Sequence, residues 1–390
     1  MERLVVVGGG LAGHRALQSA RKLGFTGELV LIGAERHKPY DRPPLSKQLL
    51  GAAGDPDRYF YDCADLADVD WQLGSPAVAL DTGAQTIAVE DGRSLSYDKL
   101  VLATGRRARR WPGEVPGSGV FTIRDLDDSL ALRASVNPGS RVVILGAGFI
   151  GMEVAATLTQ RGVRSVSVLD VAPHPMPVLG PDAADRALRI HRRHGVDIRC
   201  GVTVSAIEGS ARAETVLLAD GTRLPADIVV VAIGSEPNTG WLADSGLELW
   251  RGNVRCDEYC RVAGVQNVVA AGDVAAWTHP WLDTVVSIEH WAIARDMAEI
   301  AVENILTGGA PRPMATIPTF WSDQYSVKIK SAGFLAQATS FHVVEESDDK
   351  LALTVEAFRD DQLVGAIVFN RNKTIIGYQR RLAGQFAGSR

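Results

Sequence analysis

The chain has 390 residues, 46% of them hydrophobic and 22% charged, and a formal net charge of −5. That length suits two or three domains with ample core, and the acidic balance argues against a nucleic-acid binder. The longest apolar runs are strand-sized, too short to span a bilayer, so no membrane segment is expected.

In chain order, the run Leu4-Val5-Val6-Val7 predicts a strand that enters the turn Gly8-Gly9-Gly10-Leu11-Ala12-Gly13. It begins too close to Met1 for a secretory leader, so a cytoplasmic protein is expected. A helix and a second strand, Glu28 to Ile32, follow, and Glu35 comes just after it. Residues 1 to about 108 read as βαβ followed by short strands, closing on Leu100-Val101-Leu102-Ala103-Thr104-Gly105. The stretch from Arg106 to Pro112 reads as a linker. A second βαβ unit opens with the strand at Arg141 and the turn Gly146-Ala147-Gly148-Phe149-Ile150-Gly151. Its second strand ends at Asp170, and the unit closes on Asp227 to Gly234. The parallel between the halves suggests two related Rossmann-like domains. Beyond them come a buried-type strand ending in Gly272-Asp273 and a helix from about Trp291 to Leu306, stopped by Thr307-Gly308-Gly309-Ala310-Pro311. The tail from about Pro313 carries strands near 326–330, 351–355 and 363–368, which predicts a third domain built on an antiparallel sheet.

The two glycine turns carry the chemistry. Gly8 and Gly146 make the tight turn, Gly10 and Gly148 let backbone approach a pyrophosphate, and Gly13 and Gly151 let helix pack on strand. Each helix N-terminus then attracts phosphate. Glu35 and Asp170 each lie about 20 residues beyond their turn, where a carboxylate accepts from ribose hydroxyls; the alternative for either is a solvated strand end. Two such units imply two dinucleotides held at once, and electron transfer between them is the simplest reason for that. The residues after Asp170, Val171-Ala172-Pro173-His174-Pro175, lack the Arg that a 2′-phosphate wants, so NADH is expected over NADPH. The four cysteines, at 63, 200, 256 and 260, form no C-x-x-C pair and no iron–sulfur or zinc spacing. A dithiol disulfide reductase is therefore not expected.

The segments Pro39-Tyr40-Asp41-Arg42-Pro43-Pro44-Leu45-Ser46-Lys47, Ile288-Glu289-His290-Trp291 and Phe320-Trp321-Ser322-Asp323-Gln324-Tyr325 are more specific than either glycine turn. With Glu153 after the second turn and the Gly272-Asp273 pair, they make the whole chain resemble the FAD-dependent NADH:ferredoxin reductases of bacterial multicomponent oxygenases, the putidaredoxin-reductase-like proteins. The resemblance implies a glutathione-reductase-type α/β fold. An FAD-binding domain (1–108 and 236–311) would be interrupted by an NADH-binding domain (109–235) and followed by an α+β interface domain (312–390).

It also implies roles. Arg42 would reach the FAD pyrophosphate, Lys47 the flavin edge, Asp273 a ribitol hydroxyl, and the helix at Trp291, led by Glu289 and His290, the flavin C2=O side. Thr104, Gly105 and Gly234 would border the cofactors, and Ile150 and Glu153 the nicotinamide. Trp321 would pack near the isoalloxazine, so Lys47, Glu153 and Trp321 form the implied catalytic set. Ordinary alternatives exist: solvated loop cations for Arg42 and Lys47, a carboxylate favoured in the first turn of the second helix for Glu153, and core aromatics for Trp291 and Trp321. Family members commonly carry Asn and a basic residue where this chain has Ile293 and Glu299, a departure on the partner-docking face.

The implied activity is electron transfer from NADH, through FAD, to an acidic, transiently bound [2Fe–2S] ferredoxin that feeds a Rieske dioxygenase or a haem monooxygenase. Against a net charge of −5, docking would need a local basic patch, for which Lys328, Lys330, Arg371, Lys373, Arg380 and Arg381 stand as candidates. Rubredoxin reductase, NADH oxidase and a non-catalytic flavoprotein like apoptosis-inducing factor remain as alternatives. The absence of Cys in residues 39–47 counts against the oxidase. Monomer and homodimer both stay open.

Overall fold

The computed structural model describes residues 1–387. Its helices are α1 (Leu11–Lys22), α2 (Leu126–Ser135), α3 (Phe149–Gln160), α4 (Pro181–Arg193), α5 (Trp291–Leu306) and α6 (Asn372–Ala387). Among the described residues no helix is long and apolar enough to cross a membrane.

The apolar runs that open and close each half become the inner strands of two parallel sheets. In the first, Arg3–Val7 lies between Glu28–Gly33 and Lys99–Leu102. Leu4, Val5, Val6, Leu100, Val101 and Leu102 are fully buried, because helices and loops cover both faces; this is why they read as continuous rather than alternating apolar runs. Asp70–Leu73 adds on one side and Val268–Ala270 on the other. The last strand returns from far along the chain, so the first domain is discontinuous, and α1 packs against α5 within it. In the second sheet, Arg141–Leu145 lies between Ser165–Asp170 and Ile228–Val231, with Asp197–Cys200 and Val120–Phe121 at the edges. Each half also carries a three-stranded antiparallel flap, formed by 77–96 in the first and 204–225 in the second.

The expected linker is a structured crossing. Arg106–Ala108 pairs antiparallel with Ser235–Pro237, so the chain leaves and re-enters the first domain along one two-stranded ribbon. Backbone groups at a domain junction need partners, and each crossing supplies the other's.

The tail forms a five-stranded antiparallel sheet in the order Thr319–Gln324, Val327–Gly333, Gln362–Phe369, Ala352–Arg359, Ser340–Ser347, with α6 packed on its central strands. One hydrophobic cluster joins all three units. It holds Tyr40, Leu45 and Leu49 from the proline-rich loop, Met152 and Leu158 from α3, and Val327, Ile329 and Ile367 from the tail sheet. A second tie is Arg186 of α4, whose nearly buried side chain pairs with Glu346 and Asp348. Both fix the region where the three units meet.

Candidate functional site

The glycine turns are built as their spacing implies. Gly8 and Gly146 have φ of +124° and +106°. A Cβ on either would lie 2.1 or 2.3 Å from the carbonyl oxygen of Ala103 or Ala232, and a Cβ on Gly13 or Gly151 would meet the oxygen of Gly8 or Gly146 at 1.9 or 2.0 Å. These four positions serve close backbone packing. The middle glycines differ: at Gly10 the nearest atom to a Cβ is the Arg42 guanidinium at 3.9 Å, and at Gly148 nothing lies within 4 Å.

That open space belongs to one cavity of about 1310 Å³, larger than the usual pocket for a single small ligand. Gly8, Gly10, Glu35 and Arg42 line it. So do Thr104, Gly105, Asp273, Gly148, Ile150 and Gly234, and Lys47, Glu153, Glu289, His290, Trp291 and Trp321 complete the wall. Gly13, Gly146, Gly151 and Asp170 are not on it. Asp170, outside this cavity, accepts from the amides of Ala147 (2.6 Å) and Ala172 (2.8 Å), bracing the second glycine turn while each oxygen keeps a lone pair for a further donor.

Helices α1, α3 and α5 all begin at this cavity, and none has a side-chain cap. Their first-turn amides need acceptors, and their dipoles favour anionic or electron-rich groups. His290 Nδ1 is buried in the wall with no partner. Burial pushes this imidazole down to about 4 against the opposing charge of Asp273, so it is neutral at pH 7. Uncapped helix ends, open glycines and an orphaned ring nitrogen fit a dinucleotide with a flavin head group.

The side chains are already braced. Glu35 accepts from Arg42 Nη2 and from the Tyr40 hydroxyl, each at 2.5 Å. Arg42 Nη1 also donates to the Arg124 carbonyl at 2.8 Å, so its guanidinium is tethered beside Gly10. Asp273 pairs with Arg124 at 3.2 Å. Arg124 lies on the cavity and was absent from the sequence reading, since nothing local marks the residue before a helix cap as facing a cofactor. Glu289 is exposed on the rim, where Arg106 (3.2 Å) and the Ser235 hydroxyl (2.7 Å) hold its carboxylate.

Glu153 overturns its helix-based placement. Gly148 is the N-cap and α3 starts at Phe149, so Glu153 lies beyond the first turn, which has no acidic residue. It is 3% exposed. Its Oε2 accepts from Lys47 Nζ at 2.6 Å and Ser46 Oγ at 2.5 Å, and its Oε1 accepts from Ser322 Oγ at 2.6 Å. Lys47 also donates to the Pro43 carbonyl at 3.0 Å. All three units meet on this carboxylate. Ser46 and Ser322 were missed by the sequence reading, although both lie inside its most specific segments.

Trp291 and Trp321 meet edge to face with centroids 6.0 Å apart. The Trp291 indole donates to Asp41 Oδ1 at 2.8 Å, which ties the start of α5 to the proline-rich loop. None of the four cysteines borders the cavity, and all are free thiols. Three of the six basic-patch candidates are paired: Lys328 with Asp323 (3.6 Å), Arg371 with Glu345, and Arg381 with Glu356 (3.1 Å).

Comparison with known proteins matches residues 2–298 to the family described as Pyridine nucleotide-disulphide oxidoreductase and residues 319–387 to the Reductase C-terminal family. The anthranilate 1,2-dioxygenase system ferredoxin–NAD(+) reductase component of Burkholderia cepacia is 36% identical over 384 residues, covering 97% of this chain and 93% of that protein. Putidaredoxin reductase of Pseudomonas putida is 33% identical over 392 residues, covering 96% and 92%. The solved covalent putidaredoxin reductase–putidaredoxin complex superposes with a TM-score of 0.92 at 30% identity, covering 98% of this chain and 93% of that one.

Proposed function

The chain belongs to the pyridine nucleotide-disulphide oxidoreductase family, and from that premise we propose that it is an FAD-dependent reductase carrying electrons from NADH to a [2Fe–2S] ferredoxin that feeds a terminal oxygenase. The observation that carries this reading is the single cavity onto which both glycine turns open, with the Lys47–Glu153 pair in its wall and no thiol beside it.

Bound FAD supplies the ability to take hydride from a nicotinamide and to release electrons one at a time. The protein supplies placement and charge. The Gly10 backbone and the N-terminus of α1 would hold the FAD pyrophosphate, with the Arg42 guanidinium beside them and Glu35 for the ribose. Asp273, with Arg124, would take a ribitol hydroxyl. The N-terminus of α5 and the neutral His290 would serve the flavin ring. Gly148 and the N-terminus of α3 hold the NADH pyrophosphate, Asp170 its ribose, and Ile150 and Gly234 border the nicotinamide end. Lys47, clamped by Glu153, would present a fixed cation to the flavin, with Trp291 and Trp321 in the same cavity wall. Hydride transfer needs no acid or base here, so orientation and electrostatics are the protein's whole contribution. A mobile ferredoxin as partner supports a cytoplasmic location for this chemistry.

The test is turnover of the FAD-loaded protein with NADH, run without oxygen in the presence of a [2Fe–2S] ferredoxin and run in air with no carrier. NADH should drive ferredoxin reduction much faster than it drives oxygen consumption without a carrier. Rapid oxygen reduction with no ferredoxin reduction would establish an oxidase instead.

A further inference from the structure

Behind Glu153, away from Lys47, runs a line of polar side chains that the proposed reaction does not use. Ser322 Oγ is 2.6 Å from Glu153 Oε1, and Gln324 Nε2 is 3.1 Å from Ser322 Oγ. Gln324 Oε1 is 2.9 Å from His191 Nε2, and His191 Nδ1 is 3.3 Å from the Tyr325 hydroxyl. Glu153, Ser322, Gln324 and His191 are all at most 3% exposed, so each must find its partners inside the protein.

The polarity of this line follows from its first member. A carboxylate only accepts, so the Ser322 hydroxyl donates to it and has only lone pairs left for Gln324. Gln324 must therefore turn its NH₂ toward Ser322, which leaves its carbonyl oxygen toward His191. His191 Nε2 must then carry the ring proton, and Nδ1 is left to accept from Tyr325. Every bond points toward Glu153. Burial, with His194 as a neighbouring cation-forming group, holds His191 neutral at pH 7, as the line requires.

We propose that Ser322, Gln324 and His191 act as positioning residues: a one-directional hydrogen-bond chain that holds Glu153 as the charged partner of Lys47 and so fixes the Lys47 ammonium in the flavin pocket. The chain spans α4 and the first strand of the tail sheet. It makes the setting of the Lys47–Glu153 pair depend on how the second and third units dock. Its aligned dipoles stabilise the carboxylate where removing a partner would be costly.

The sharpest test is Glu153→Gln. Lys47 only donates, so it would draw the new amide oxygen toward itself and leave the amide NH₂ facing Ser322. Ser322 would then donate to Gln324, Gln324 would turn over, and His191 would move its proton from Nε2 to Nδ1. Nitrogen-15 NMR of the histidine ring in the FAD-loaded protein reads this directly. The expected result is the Nε2–H tautomer in the parent, the Nδ1–H tautomer in Glu153→Gln, and a mixture in Ser322→Ala. An Nδ1–H or imidazolium ring in the parent, or one tautomer shared by all three proteins, would overturn the proposal.

The functional arm rests on the reductase reading. Ser322→Ala removes one hydrogen bond to a charge, and single-turnover reduction of bound FAD by NADH should slow about tenfold. The same change should add nothing in a Glu153→Gln background. His191→Phe should slow that step, and His191→Gln, which restores a donor and an acceptor, should recover it; equal slowing in both variants also overturns the proposal. A parent protein that shows the expected tautomer yet reduces no ferredoxin would refute the assigned activity alone.

Discussion

Adding one methyl group at different glycines of the two turns should separate folding from ligand binding. Gly10 has φ −86° and ψ −168°, and Gly148 has φ −71° and ψ −177°, conformations any residue adopts. Neither Cβ would approach another atom closer than 3.9 Å. Gly10→Ala and Gly148→Ala should therefore leave the apoprotein within about 1 kcal/mol of the parent, since loss of unfolded-state freedom offsets a poorer N-cap. Their methyl groups stand where a pyrophosphate must approach the helix N-terminus. Losing one hydrogen bond to a charged oxygen costs about 1.5–3 kcal/mol, roughly ten- to a hundredfold in Kd. Gly13→Ala is the contrast. Its Cβ would lie 1.9 Å from the Gly8 oxygen, so strand and helix must part by more than 1 Å, and the gain of about 1 kcal/mol in helix propensity cannot compensate. The assay is thermal unfolding of each apoprotein beside fluorescence titration with FAD and stopped-flow titration with NADH. Gly10→Ala should lose FAD, Gly148→Ala should stay yellow but bind NADH at least tenfold more weakly, and Gly13→Ala should fail in folding. If Gly148→Ala unfolded early and bound NADH normally, the division of labour among the glycines would be wrong.

Asp170→Asn should narrow the preference for NADH over NADPH about tenfold, because a carboxylate repels a 2′-phosphate, and should weaken NADH binding too, because its NH₂ would face the Ala147 or Ala172 amide; unchanged relative kcat/KM values would remove Asp170 from the ribose site. Trp321→Ala should shift the flavin absorption envelope and raise its fluorescence while retaining FAD, since an edge contact offers only about 0.5–1.5 kcal/mol beyond area burial; an unchanged spectrum would assign the indole to packing alone. Stability should fall as pH drops from 6.5 to 4, because His191, His279 and His290 are each pushed down to about 4 by burial whereas the unfolded chain protonates them near 6.5. In that window the unfolded state binds more protons, by up to about 1.4 kcal/mol per pH unit for each histidine. Urea unfolding at several pH values reads the slope, and His279→Asn should lower it by about one proton.

What the sequence made legible was local. Continuous apolar runs marked strands buried on both faces, glycine spacing marked the two turns, and Thr307 to Pro311 marked the end of α5 at Leu306. The strand Ser340–Ser347 escaped because it is an exposed edge with polar residues on both faces, so no alternation betrays it. Helix α6 escaped because only Asn370 and Arg371 separate it from the strand that ends at Phe369, too short a break to announce a new element. The stretch from Arg106 read as a linker because its charged residues hide a strand whose partner lies beyond the whole second domain.

The site was legible as residue types and illegible as contacts. Helix reasoning explained Glu153 by a dipole it does not sit on, since its true partners lie 106 residues back at Lys47 and 169 residues ahead at Ser322. No local rule links such positions; only docking of three units does. The converse carries weight for function. A lysine and a glutamate, 12% and 4% exposed in their side chains, form a pair whose desolvation is repaid only by good geometry and further hydrogen bonds. Those bonds come from Ser46, the neighbour of Lys47, and from Ser322 of the tail sheet, so the pair is fully satisfied only in the assembled molecule. A buried ion pair of this kind is weak as a source of stability, because an apolar replacement of the same size would hold the units together as well. Its place in the wall of the cavity onto which both glycine turns open is therefore better explained by the charge it presents to a bound cofactor than by the fold it helps to close.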